Sequence, residues 1–289
     1  MERNSFNAIV DDKTAWELYY PPWQAAVEAG VSAAMCAYNK EDGEWSCSNS
    51  KRLNDDLKGS LGFNGFVQSD WDAAHATTDL DEGLDMSMPG DDGFLSNLSA
   101  SPRVDDAVTR ILAAMYRLNL TESTTCPRGQ GCTEFRADVR GDRANLARAA
   151  AAEAVILLQN DGVLPLGKAS VKTISISGNA ADAEVYNPNH GYWWIGDYYA
   201  GGGSGHVVPP YVISPREGIE AGALRAGIEV VREGGDVAIV VCGTTSGESS
   251  DRTDLNFDGD CDNTVRAQSG AGATVVIGLS PGTVPSSHY

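Results

Sequence analysis

Basic residues are scarce in this chain. Lys and Arg number 21 against 40 Asp and Glu, and the formal charge is −19. No basic run is long enough to track a phosphate backbone, so nucleic acid is not an expected partner. Histidine is sparser still, with four scattered residues, and no Cys-x-x-Cys pair occurs. A bound metal is therefore not expected. No apolar run approaches the roughly 20 residues of a membrane-crossing helix, so no membrane partner is expected. The opening stretch MERNSFNAIVDDKTAW has no apolar segment of the kind a secretion signal carries.

The residues that are present suit a globular protein. Hydrophobic residues make up 42% of 289, enough for one large domain or two ordinary ones. Six cysteines fall into local pairs: Cys36 with Cys47, Cys126 with Cys132, and Cys242 with Cys261. Spacing alone leaves disulfides and free thiols equally open. Two glycosylation sequons, Asn97-Leu98-Ser99 and Asn119-Leu120-Thr121, add to a secretory pattern.

Helix and strand signals alternate along the first 120 residues. Residues 12–29 read as a helix broken at Pro21-Pro22, with Gly30 stopping it and VSAAMCAYN following as a strand. LNDDLKGS is a short helix, GFNGFVQSD the next strand, and DLDEGLDMSMPG a further helix and strand. Residues 103–118 form an amphipathic helix with Val104, Val108, Ile111, Leu112 and Met115 on one face. Residues 121–141 are polar and rich in turn formers, as a linker is. A second α/β unit follows, with an Ala-rich helix over 142–159 and three buried strands, VKTISISG, VAIVVCG and ATVVIGLS. Strands alternating with helices imply parallel α/β architecture.

Four stretches bear on chemistry. Asp70 ends the hydrophobic run FNGFVQSDW. It suits a catalytic carboxylate at the C-terminal end of a parallel strand, or equally an N-cap for the next helix. The loop GTTSGESSDR follows the strand VAIVVC and holds a second carboxylate, Glu248; alone it reads as a solvated acidic loop. GGGSG at 201–205 lacks the spacing and the Lys of a phosphate loop, so a flexible turn is expected there rather than a nucleotide site. DGDCD at 258–262 has Asn263 and Ser269 where a calcium loop needs Gly and Glu. The aromatics Trp193, Trp194, Tyr198 and Tyr199 line either a substrate entrance or an ordinary core. Met35 and Trp71, taken singly, read as core and packing residues.

Together, GFVQSDW, GLDMSMPG, MCAYN, RVDDAVTRIL, AAAEAVILLQNDGVLPL and SGESSDR resemble glycoside hydrolase family 3, in particular its fungal-type β-glucosidases. The resemblance covers most of residues 10–255. It implies the C-terminal part of a (β/α)8 barrel over 1–120, then the linker, then a truncated α/β/α sandwich domain over 142–289. It implies retaining hydrolysis of terminal β-glucosyl residues in a β-glucoside or oligosaccharide, without a cofactor. Asp70 matches the family's nucleophile and Glu248 its acid/base. Met35, Tyr38 and Trp71 match residues around the bound sugar. Cys36 and Cys47 match a disulfide of the fungal-type members. Trp71 stands where the family's β-xylosidases tend to carry Cys, which leans towards glucosides. Two neighbouring carboxylates push one pKa up, which assigns the acid.

The chain also departs from the family. A complete eight-stranded barrel takes about 250 residues, and the sugar-holding Asp, Arg and Lys-His of the family's first barrel half have no match here. Only Arg232, Glu233, Gly234 and Gly235 stand where members carry a helix between a strand like GIEVV and one like VAIVV. The expectation is a partial chain of a secreted β-glucosidase, with Met1 an internal or artificial start and little or no activity alone. The competing expectation is a non-catalytic carbohydrate-binding protein.

Overall fold

The computed structural model describes residues 3–90, 101–120, 141–167, 169–182, 196–207, 209 and 211–284. The Cys126–Cys132 pair, the Asn97 sequon, residues 121–140 of the linker segment, and Trp193 and Trp194 lie outside the described residues. The chain divides into two compact units, Met1–Val139 and Arg140–Tyr289.

The first unit starts with β1 (Asn7–Ala8) and a helical stretch made of α1 (Asp12–Thr14), a π-helical turn Ala15–Tyr19, and α2 (Tyr20–Glu28). Asp11 caps its start by accepting the Thr14 N–H at 3.0 Å. Pro21 and Pro22 do not break this stretch. They fall in the first turn of α2, where a missing N–H costs no intrahelical bond, and the wider π turn takes up the change of register.

After α2 come β2 (Ala33–Cys36), β3 (Lys40–Glu41), β4 (Glu44–Trp45), a π-helical run Lys51–Ser60, β5 (Phe66–Trp71), β6 (Met86–Met88) and α3 (Val104–Arg117). β1 pairs parallel with β3, and β3 antiparallel with β4. β2, β5 and β6 form a parallel sheet in that order, with Ala34 opposite Val67 and Gln68 opposite Met86. Alternation decides its faces: Ala34, Cys36 and Val67 are buried against Leu53, Leu57, Phe63 and Leu84, while Met35 points the other way. The Cys36–Cys47 disulfide closes this core, with Cα atoms 5.1 Å apart.

α3 buries Ala107 and Ala114, whereas Val108 and Leu112 of the expected face are exposed. Small side chains allow close approach to the sheet, so the inner stripe runs through 107, 111 and 114 instead.

Two charge networks brace this unit. Arg52 donates to Tyr20 (2.8 Å), Asp42 (2.9 Å) and Asp56 (3.2 Å), and Tyr20 donates to Asp56 at 2.7 Å. Burial pushes the Asp56 carboxyl up, but hydrogen bonds from Tyr20, Lys51 and Arg52 outweigh it and hold the group below the ordinary value. A lowered folded pKa gives stability that is full above the unfolded value of about 3.9 and lost as pH falls through the folded one. Urea unfolding of the wild type and Asp56→Asn should therefore differ at pH 7 and converge as pH drops from about 4 towards 2.

The second network centres on Asp85, whose side chain is fully buried. It accepts the Val67 N–H of β5 at 2.8 Å, Lys58 Nζ at 2.8 Å and an Arg103 nitrogen at 2.9 Å. Burial draws the Lys58 amine down, although Asp85 opposes it.

The second unit holds α4 (Arg143–Glu153), β7 (Thr173–Ser177), α5 (Pro215–Ala226), β8 (Glu229–Val231), β9 (Val237–Gly243), α6 (Cys261–Ala271) and β10 (Ala273–Leu279). The four strands are all parallel, in the order β10-β9-β7-β8. Every residue of β9 is buried, as a parallel strand covered on both faces requires. Ile239 and Val241 pack with Ala223 and Ile228, while Val240 and Cys242 pack with Phe257, Cys261 and Val265. The Cys242–Cys261 disulfide ties the end of β9 to the start of α6, with Cα atoms 5.7 Å apart.

Two features differ from the reading of the sequence, and a third, the short link between β8 and β9, agrees with it. α4 stops at Glu153 rather than continuing to 159, because the run Val155-Ile156 favours extended backbone. α5 has a reciprocal cap that the reading did not use: Ser214 Oγ accepts Glu217 N–H at 3.2 Å, and the Glu217 carboxylate accepts Ser214 N–H at 2.8 Å. β8 and β9 flank β7 on opposite sides, yet only residues 232–236 join them. Gly235 makes this crossing possible, since a Cβ there would lie 2.7 Å from the backbone of Ile174 and Ser175. Asp236 fastens it by accepting the N–H groups of Lys172 (2.8 Å) and Thr173 (2.9 Å).

Candidate active site

In the first unit the candidate residues gather at the C-terminal ends of β2 and β5. Asp70 is the fifth of six residues of β5, so the strand runs on through it to Trp71. It caps no helix: the next helical turn, Thr77–Leu80, starts at Ala76, whose N–H is accepted by Asp79 at 3.2 Å. One Asp70 carboxylate oxygen accepts the Trp71 N–H at 2.7 Å. Asp72 turns the chain sharply at φ 62°, and its N–H meets the Met88 carbonyl at 2.9 Å.

The scaffold behind Asp70 is tightly held. Ser69 is fully buried and joins β5 to β6, accepting the Met88 N–H at 2.8 Å. Asp79, also buried, accepts the His75 N–H at 2.7 Å and a hydroxyl bond from Ser48. The His75 ring stacks on Trp45 with centroids 4.0 Å apart. Neither Ser69 nor Asp79 was singled out from the sequence, because a buried hydroxyl and a buried carboxylate look like any surface polar residue until their partners are known.

Met35 and Trp71 are neither core nor packing residues here. Met35 is 53% exposed and Trp71 58%. Tyr38 instead packs against the core of the unit, with the Arg3 guanidinium 5.0 Å from its ring centroid.

In the second unit, Glu248 sits in the loop after β9, and it is not merely solvated. Its backbone N–H donates to Gly202 O at 3.1 Å, and its carboxylate accepts the Ser204 N–H at 2.7 Å. The Gly202 N–H in turn donates to Ser246 O at 2.8 Å. The GGGSG run is therefore no free turn: it is the seat of Glu248. Gly203 stands at φ 106°, and a Cβ there would lie 2.3 Å from the Glu248 Cβ. The sequence signal was present, a glycine run and a carboxylate loop in one unit, but nothing linear connects the two.

Tyr198 belongs to the packing side of its two readings. It is partly buried in the unit's core, and its hydroxyl accepts from Asn179 at 3.1 Å. Burial, and then the nearby Asp258, push its hydroxyl up. A cavity of about 650 Å³ lies beside the same loop, lined by Ser250, Arg252, Asp258 and Arg266 among others. Among the described residues no group of three or more His, Cys, Asp or Glu is placed to hold a metal ion, and no helix is long and apolar enough to cross a membrane.

Two family profiles match this sequence. The N-terminal domain of glycosyl hydrolase family 3 matches residues 10–114, and the C-terminal domain of the same family matches residues 155–285. The chain belongs to glycosyl hydrolase family 3. A β-glucosidase of Pyricularia oryzae is 35% identical over 266 residues, covering 84% of this chain and 35% of the relative. Among solved structures, the β-D-glucoside glucohydrolase of Trichoderma reesei is 31% identical with a TM-score of 0.78, covering 98% of this chain and 45% of that one. The family 3 β-glucosidase of Neurospora crassa is 30% identical with a TM-score of 0.80, covering 98% and 41%. The chain thus spans about a third of the length of the curated relatives it matches. Its mixed α/β structure is similar to that of the solved family 3 β-glucosidases.

Proposed function

We propose that this chain carries the two catalytic carboxylates of a retaining β-glucosidase, one in each unit. The observation that carries the reading is the placement of Asp70 and Glu248: each lies at or just beyond the C-terminal end of a parallel strand, within the span matched by the corresponding family domain. Asp70 attacks the anomeric carbon and forms a covalent glucosyl-enzyme. Glu248 protonates the leaving oxygen, then takes a proton from the incoming water. Retaining hydrolysis uses one carboxylate as nucleophile and a second carboxyl group as acid and then base. We assign Met35, Tyr38 and Trp71 to the sugar's surroundings, Trp71 beside the leaving group. The first unit corresponds to the C-terminal part of a (β/α)8 barrel and the second to an α/β sandwich. The disulfides Cys36–Cys47 and Cys242–Cys261 accord with a secreted protein.

Turnover by these 289 residues alone is expected to be slow. Small-molecule pockets bury about 70–90% of their ligand, and Met35 and Trp71 are each more than half exposed. The same exposure favours the second reading, carbohydrate binding without catalysis. Glu248→Ala separates the two. Under the catalytic reading its slow release of the phenol from an activated aryl β-glucoside rises on adding azide, which takes the glucosyl group from the Asp70 ester to give β-glucosyl azide, because azide needs no general base. Sugar binding by calorimetry, with no turnover and no azide product, would leave only the second reading.

A further inference from the structure

The Gly201–His206 turn deserves a role beyond that of a seat. Its contacts with Glu248 reach the carboxylate itself. The Ser204 N–H is bonded to Oε2 at 2.7 Å. This bond holds the carboxyl group in one orientation on the turn.

His206 holds this turn from inside the protein. Its side chain is only 5% exposed. Nδ1 lies 2.9 Å from the Gly201 carbonyl; a carbonyl only accepts, so Nδ1 carries a proton. Nε2 faces the Asp197 carboxylate at 3.8 Å. The Asp197 N–H donates to Ala200 O at 2.7 Å, and the His206 N–H to Gly203 O at 3.0 Å. One ring thus spans both arms of the loop that delivers Ser204 to Glu248.

We propose that His206 is a positioning residue for Glu248: by clamping Gly201 and facing Asp197 it fixes the Ser204 N–H on Oε2 and so sets the orientation of the carboxyl group. The proposal rests on the acid/base reading of Glu248, but its test does not need turnover. In the ¹⁵N-labelled 289-residue chain, the Ser204 amide proton should shift through a pH transition that Glu248→Gln abolishes. His206→Ala should cut the amplitude of that transition by more than half while the amides of Ile239–Val241 keep their positions. His206→Asn, which places a neutral donor near Gly201 O, should restore it. Full amplitude in His206→Ala, or no transition in the wild type, would overturn the proposal. Should His206→Ala fail to fold, His206→Asn decides: retained amplitude sustains the clamp and lost amplitude refutes it. Azide rescue without this coupling would refute the clamp alone, whereas coupling without azide rescue would refute the catalytic reading alone.

Discussion

Asp85→Ala is expected to destabilise the first unit by about 3–5 kcal/mol, the range found when one member of a buried ion network is removed. Asp85 has no exposed side-chain surface and answers three donors: the Val67 N–H of β5, Lys58 and Arg103. Removing it leaves two cations facing each other in the interior and an unmet backbone donor in the strand that carries Asp70. Lys58, already drawn down by burial, then loses the group that opposes this. The measurement is amide hydrogen exchange along β5. Protection of Val67 and its neighbours should fall by about two to three and a half orders of magnitude, from about 1.4 kcal/mol per tenfold. The amides of β9, in the other unit, should be unaffected. A loss under about 1 kcal/mol would mean that the network contributes little and that the core around Phe63 and Val67 holds the sheet by itself.

The second large effect concerns chemistry. Asp70→Asn should reduce aryl β-glucoside turnover by about 10⁴-fold or more, the order seen when a covalent nucleophile is removed from other hydrolases. The amide is nearly isosteric and still accepts the Trp71 N–H, so the turn at Asp72 and the Ser69 link to β6 should survive. Far-UV circular dichroism and the melting curve should match the wild type. Steady-state rates with a dinitrophenyl leaving group provide the readout, since such a group needs little help from Glu248 and isolates the nucleophile's share. Wild-type rates in Asp70→Asn would remove Asp70 from the reaction.

Much of the strand framework was legible in the sequence. β5, β7, β9 and β10 are short apolar runs bounded by Gly, Ser or Asp; burial on both faces demands such a run in β9, whereas β10, expected to be buried, is only part-buried because it lies at the sheet edge. The helices were less legible. Pro21-Pro22 looked like a break because a proline's cost depends on where it falls in a helix, and that register came from the π turn before it. The inner face of α3 went to alanines because closeness to the sheet, not side-chain size, selects it. For the site, SDW and SGESSDR pointed to Asp70 and Glu248 through family resemblance rather than through chemistry. What surrounds them was not legible. The seat of Glu248 is built from Gly202, Gly203 and Ser204, more than 40 positions away, and its bonds are mostly backbone bonds that side-chain identity does not announce. Ser69 and Asp79 were hidden for the same reason.

The central claim is that Asp70 is the nucleophile of a retaining β-glucosidase. It is tested most directly by incubating the chain with a 2-deoxy-2-fluoro-β-glucosyl fluoride and mapping the product by mass spectrometry. The fluoride leaves without Glu248, and the fluorine slows breakdown, so even a slow site accumulates the adduct. The account predicts one fluoroglucosyl group on the peptide containing Phe66–Trp71, attached to Asp70 and absent from Asp70→Asn. An unlabelled chain, or a label on any other carboxylate, would contradict it.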